Sequence, residues 1–304
     1  MKDLHTTQAE DALAPGQELM VPDVVRQTRF TRPRRFGTAL RGVDYDPAPL
    51  PDLPTDDATE APGVPATRDL WPLLHVETPG DRQYLIGNGE DAINFRNTEV
   101  ARAFDLLRTK LRQTAQQHGT ARIGVSAPTA GCGATFTAAH LAASLSRVPS
   151  SRTVLMDMNL RAPGVARAFD MTQTAGRTSM ADFLSGDVAL SDHIVRVNDT
   201  LALGLSDRAH PNAAEILQDP AAARTLADMH AALTPDLVLY DLPPLLSFDD
   251  ASGFLPELDG ILLVSDGTRT MARHLARCER MLDGHVPLLG VILNRARRSS
   301  IERF

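Results

Sequence analysis

Cysteine is almost absent: Cys132 and Cys278 are the only two in 304 residues. Two cysteines make neither a disulfide framework nor a cysteine metal site, which points to a reducing compartment. Excess positive charge is also lacking. The formal net charge is −7, so the chain as a whole offers no electrostatic case for nucleic acid as a partner. No apolar run approaches the roughly 20 residues that span a bilayer. The first residues, MKDLHTTQAEDALAPG, lack the apolar centre of a secretion signal. These absences predict a cytoplasmic protein that reaches a membrane only through a partner. Tyrosine is scarce too, at Tyr45, Tyr84 and Tyr240.

Hydrophobic residues make up 43% of the chain, enough for one large α/β domain. They are unevenly spread. Eleven of the 21 prolines precede residue 80. Arg26, Arg29, Arg32, Arg34, Arg35 and Arg41 form a basic block, and an acidic, proline-rich block follows from Asp44 to Glu60. Such a composition buries too little apolar surface to offset chain entropy. It predicts a disordered tail over 1–70. LWPLLHV, with the single Trp71, predicts an arm over 71–96 that packs on the edge of a domain spanning 97–296. A short tail without tyrosine, 297–304, ends the sequence.

Residues 122–161, RIGVSAPTAGCGATFTAAHLAASLSRVPSSRTVLMDMNLR, read as strand, glycine loop, helix, strand. A helix start offers unpaired N–H groups and partial positive charge, and glycines let backbone wrap an anion. The loop matches the phosphate-binding pattern G-x-x-x-x-G-K-[ST] with two departures. Pro128 stands at the first position and Ala134 at the lysine. Ala130, Gly131, Cys132, Gly133, Ala134, Thr135 and Phe136 are therefore the candidate nucleotide-binding residues, with Thr135 placed to hold Mg²⁺ through its hydroxyl.

Downstream, short apolar strands alternate with helical segments, which predicts a doubly wound, mostly parallel sheet of the P-loop NTPase class. Ligands in such sheets sit at the carboxyl ends of the strands. Ser126, Asp157, Asp241 and Asn294 all fall at predicted strand ends. Asp157 and Asp241 are candidate catalytic residues and Mg²⁺ ligands beside Thr135, and Asn294 is a candidate nucleotide contact. Arg161 is a candidate substitute for the missing lysine. Upstream, TEVARAFDLLRTKLRQTAQQ predicts an amphipathic helix with Thr98 as N-cap, carrying Arg102, Asp105 and Arg108 on its polar face.

VLMDMNLRAPGVARAF and VLYDLPPLLSFDDA resemble the D-x-D-x-R-x-P and D-x-P-P segments of the bacterial tyrosine kinases of capsule and exopolysaccharide systems. RAFDLLRTKL and GVILNR resemble the helix before that family's core and its last core strand. The resemblance covers about 97–296. It implies a domain that binds ATP and Mg²⁺, related to the partition and division-site ATPases. It also implies a membrane polysaccharide co-polymerase as activating partner, and self-association through the charges at Arg102, Asp105 and Arg108, two of which are exchanged in sign. The family's catalytic lysine is Ala134 here, the second Asp of D-x-D is Asn159, and no tyrosine cluster follows the core. Four readings stay open: a kinase-like regulator of polysaccharide polymerisation and export with weakened ATP binding, an active tyrosine kinase with a substitute cation, a non-enzymatic scaffold, and a partition-type ATPase.

Overall fold

The computed structural model describes residues 69–80, 97–206 and 208–296. Most of the expected N-terminal tail, the second half of the expected arm and the last eight residues lie outside them.

Seven strands form one sheet: β1 Arg122–Ser126, β2 Thr153–Asp157, β3 Ile194–Asn198, β4 Leu201–Gly204, β5 Leu237–Asp241, β6 Gly260–Asp266 and β7 Leu288–Asn294. Among the described residues, ten helices surround it: α1 Glu99–His118, α2 Ala134–Leu145, the short α3 Val165–Ala168, α4 Thr172–Ala175, α5 Met180–Ser185 and α6 Leu190–His193, then α7 Ala213–Gln218, α8 Pro220–Leu233, α9 Asp250–Phe254 and α10 Ala272–Leu282. The spatial order is β3-β4-β2-β5-β1-β6-β7. Every pairing is parallel except β3 with β4.

The strands are apolar on both faces because helices cover both. Successive residues go to opposite cores, since side chains alternate along a strand. Leu237 and Leu239 join Leu111, Leu141 and Leu145 from α1 and α2. Val238 and Tyr240 join Leu226 and Met229 of α8 and Phe254 of α9. Tyr240 is fully buried, and that burial pushes its phenol far above the ordinary tyrosine range.

Local signals set the helix ends. The Thr98 hydroxyl accepts from the Ala101 amide at 3.2 Å and starts α1. Asp219 caps α8 through the Ala221 amide at 2.8 Å, with Pro220 at its first position. Two elements depart from the sequence pattern. β3 is a five-residue edge strand whose register shifts between Arg196 and Asn198, which hides its alternation. α10 begins only at Ala272, because Asp266 first draws the chain into a side-chain-bonded turn.

The segment 69–80 lies along the sheet edge. Val76 bridges Arg196 of β3 in parallel. Trp71 is buried, donates from Nε1 to the Asp199 carbonyl at 3.1 Å and carries the Arg152 guanidinium over its ring. Among the described residues no helix is long and apolar enough to cross a membrane.

Candidate functional site

The carboxyl ends of β1, β2, β5, β6 and β7 converge at one edge, where the strand order reverses about β1. Ser126 ends β1 and donates to the Pro243 carbonyl at 2.7 Å. The amides of Leu245 and Leu246 bond the carbonyls of Ala127 and Pro128. The two-proline segment after β5 thus runs alongside the start of the glycine loop and braces it.

The loop is held by its glycines and by β7. Gly131 and Gly133 have φ of 81° and 96°, the left-handed region that a Cβ disfavours. Asn294 donates from Nδ2 to the Cys132 carbonyl at 2.9 Å. A Cβ on Gly133 would come within 2.3 Å of that nitrogen. Asn294 therefore acts on the loop as a backbone brace. Cys132 is buried, with Sγ 3.5 Å from the Thr129 hydroxyl and 3.6 Å from that of Thr270. Helix α2 starts at Ala134, so the first amides of the helix have no intrahelical acceptor. Phe136 turns its ring outward onto His140, beside Phe104 of α1, leaving only its amide to the loop.

Asp157 and Asp241 are register partners on neighbouring strands and are wholly buried. Asp157 accepts through Oδ2 from the amides of Gly164 and Val165, both at 2.9 Å. Its Oδ1 and both oxygens of Asp241 have no hydrogen-bond partner among the described residues. Burial pushes the Asp157 carboxyl up to about 7 against the pull of those amides. Burial, then the neighbouring Asp157 charge, holds Asp241 well above the ordinary carboxylate range; the Thr135 hydroxyl works the other way without a bond of good geometry. Thr135 lies against Gly164, where a Cβ would sit 2.9 Å from its Cγ2. Two buried carboxylates with unpartnered oxygens, beside a hydroxyl, suit a hard divalent cation that keeps part of its water shell.

The remaining sequence candidates fall elsewhere. Arg161 is committed to Asp250, with Nε and Nη2 donating at 2.6 and 2.9 Å, while Nη1 donates to the Pro211 carbonyl and Phe248 covers the guanidinium. All three nitrogens are engaged, so in this conformation Arg161 is not the cation of the loop. Asn159 follows β2 and its carbonyl accepts from the Ala162 amide. Asp105 and Arg108 face α2. Asp105 accepts from the Ser144 hydroxyl at 2.6 Å and pairs with Arg147, and Arg108 donates to Asp105 and to the Ser144 carbonyl. A contact between copies through these two charges would have to open that network, whereas Arg102 is exposed. Asp105→Arg is expected to lower stability by about 1–3 kcal/mol, the scale of a hydrogen-bonded charge, read as an earlier urea midpoint. An unchanged midpoint would mean that the network does not dock α1.

Sequence patterning missed Asp266, Arg269 and Arg295. Arg295 donates from Nη1 to the Gly131 carbonyl at 3.0 Å and to Asp266 at 2.8 Å. Arg269 lies beside Gly131, where a Cβ would be 3.1 Å from its Nη1. The aspartate at the end of an apolar run, followed by G-T-R-T, is the local signal that marks this turn.

No family model matches the chain. It is 32% identical over 180 residues to the succinoglycan biosynthesis transport protein ExoP of Rhizobium meliloti (strain 1021), covering 57% of this chain and 22% of that protein. It is 27% identical over 190 residues to the tyrosine-protein kinase YwqD of Bacillus subtilis (strain 168), covering 62% of this chain and 78% of that one. The chain thus spans less than a quarter of ExoP and most of YwqD. The kinase domain of the Escherichia coli tyrosine kinase ETK shares the fold, with a TM-score of 0.60 and 22% identity over 68% of this chain and 80% of that one.

Proposed function

We propose, on the premise that this chain belongs to the bacterial tyrosine kinase family of exopolysaccharide systems, that it is a kinase-like P-loop protein which binds ATP·Mg²⁺ weakly and turns it over slowly. In this reading it regulates polysaccharide polymerisation and export from the cytoplasmic side of the inner membrane, through a membrane co-polymerase. The observation that carries it is the buried pair Asp157–Asp241, with three unpartnered oxygens at the foot of a glycine loop whose lysine position is Ala134.

The backbone amides at the start of α2 would hold the phosphates. The Thr135 hydroxyl and the two carboxylates would hold Mg²⁺ and its waters. Mg²⁺ held there would supply positive charge against the negative charge that grows on the phosphates during transfer. Asp157 is fixed by the Gly164 and Val165 amides, so only its Oδ1 is free to turn to the metal. Asn159 can donate and accept hydrogen bonds but carries no charge with which to draw a proton from an acceptor hydroxyl.

The purified protein with ATP·Mg²⁺ is expected to release phosphate at least about 10²-fold below the roughly 1–100 s⁻¹ of kinases, the cost of a lost donor to transition-state charge. Turnover within that range would overturn the impaired reading and favour an active enzyme.

A further inference from the structure

We infer that Arg269 is the phosphate-binding cation of this loop, standing in from the turn after β6 for the lysine that position 134 lacks. The inference rests on the reading that the loop binds ATP·Mg²⁺.

The placement is built by the fold. Asp266 ends β6 fully buried, and its Oδ1 accepts from the amide and hydroxyl of Thr268 at 2.7 and 2.6 Å. The Thr270 hydroxyl accepts from the Asp266 amide at 2.9 Å, closing the turn around Arg269. The same turn is tied to the glycine loop twice: the Thr270 hydroxyl meets Cys132 Sγ at 3.6 Å, and Arg295 spans the Asp266 carboxylate and the Gly131 carbonyl. Two arginines thus stand at the loop in different roles. Arg295 is spent on the brace. The Arg269 guanidinium has no hydrogen-bond or ion-pair partner among the described residues, and it is exposed against the bare face of Gly131.

Gly131 is what admits it. With φ at 81° and no Cβ, the loop leaves the space that Nη1 of Arg269 approaches. An anion cradled by the loop amides would lie within reach of a guanidinium so placed. Its planar fork can take two phosphate oxygens at once, a geometry that suits arginine better than lysine. Ala134 is then a relocation of the charge from the helix to the neighbouring turn.

The test is calorimetric titration of the full chain with ATP·Mg²⁺. Arg269→Ala is expected to weaken binding about 10- to 150-fold, the range for a hydrogen bond to a charged group, and Arg269→Lys to recover part of it. Arg280→Ala removes the same charge from the last turn of α10, about 12 Å along the helix, and is expected to leave affinity unchanged. Ala134→Lys should rescue Arg269→Ala and gain less in the parent, because both cations serve one anion. A parent that binds ATP·Mg²⁺ and an Arg269→Ala variant that binds it equally well would overturn the assignment alone. Equal losses in Arg269→Ala and Arg280→Ala would overturn it as a net-charge effect. A parent that binds no ATP·Mg²⁺ would overturn the nucleotide reading, and this inference with it.

Discussion

Asp241→Asn is expected to stabilise the nucleotide-free protein at pH 8 and to abolish the dependence of ATP binding on Mg²⁺. The two effects have one cause. Asp241 and Asp157 are register partners on paired strands, both fully buried, so without a cation the pair must either take up a proton or hold two charges. A carboxyl raised above its ordinary value of 3.8 holds its proton longer folded than unfolded. Between those two pKa values the native state binds more protons, and stability falls as pH rises. For Asp157 the fall runs from 3.8 to about 7, and for Asp241 it continues well above 3.8. Each pKa unit corresponds to about 1.4 kcal/mol, so a few kcal/mol separate pH 5 from pH 8. The parent should melt earlier at pH 8 than at pH 5, and the Asn variant should flatten that slope. Asp241 is the cleaner position, because Asp157 also bonds the amides that begin α3. A parent whose melting temperature is level across this range would show that the carboxylates are solvated and would remove the metal site.

Ala134→Lys should tighten ATP·Mg²⁺ binding at least about tenfold in the Arg269→Ala background, and by less in the parent, where Arg269 already serves the phosphate. A charge-assisted bond contributes roughly 1.5–3 kcal/mol, or about 10- to 150-fold. The gain in rate should be only partial, since Asn159 still offers no carboxylate. Ala134→Lys with Asn159→Asp should exceed either alone in phosphate release. If the single variant binds ATP no better than the parent, Arg269 already supplies all the charge the loop can use, or the loop binds no nucleotide; the Arg269→Ala titration separates the two.

Much of this site was legible in the sequence because its parts are local. A glycine loop between an apolar run and an Ala-rich helix, and carboxylates closing apolar runs at Asp157 and Asp241, need no distant partner to be read. The pairing of Arg161 with Asp250 spans 89 residues, and no spacing rule reaches that far. Asp105 and Arg108 look like a solvated face by periodicity, yet Ser144 at the end of α2 and Arg147 just beyond it turn them inward. Arg269 closely precedes the helical pattern of α10, and only the side-chain bonds of Asp266 to Thr268 show that it sits in a turn. β3 shows no clear alternation in the sequence because it is a short edge strand that breaks register.

The central claim is that the Asp157–Asp241 pair and the loop beside it form a metal-dependent nucleotide site. Titration of the parent protein with ATP, once in Mg²⁺ and once in chelator, tests it most directly. Binding in Mg²⁺ that weakens at least about tenfold in chelator, with that difference lost in Asp241→Asn, is the predicted result. No binding in either buffer, or the same affinity in both, would contradict it.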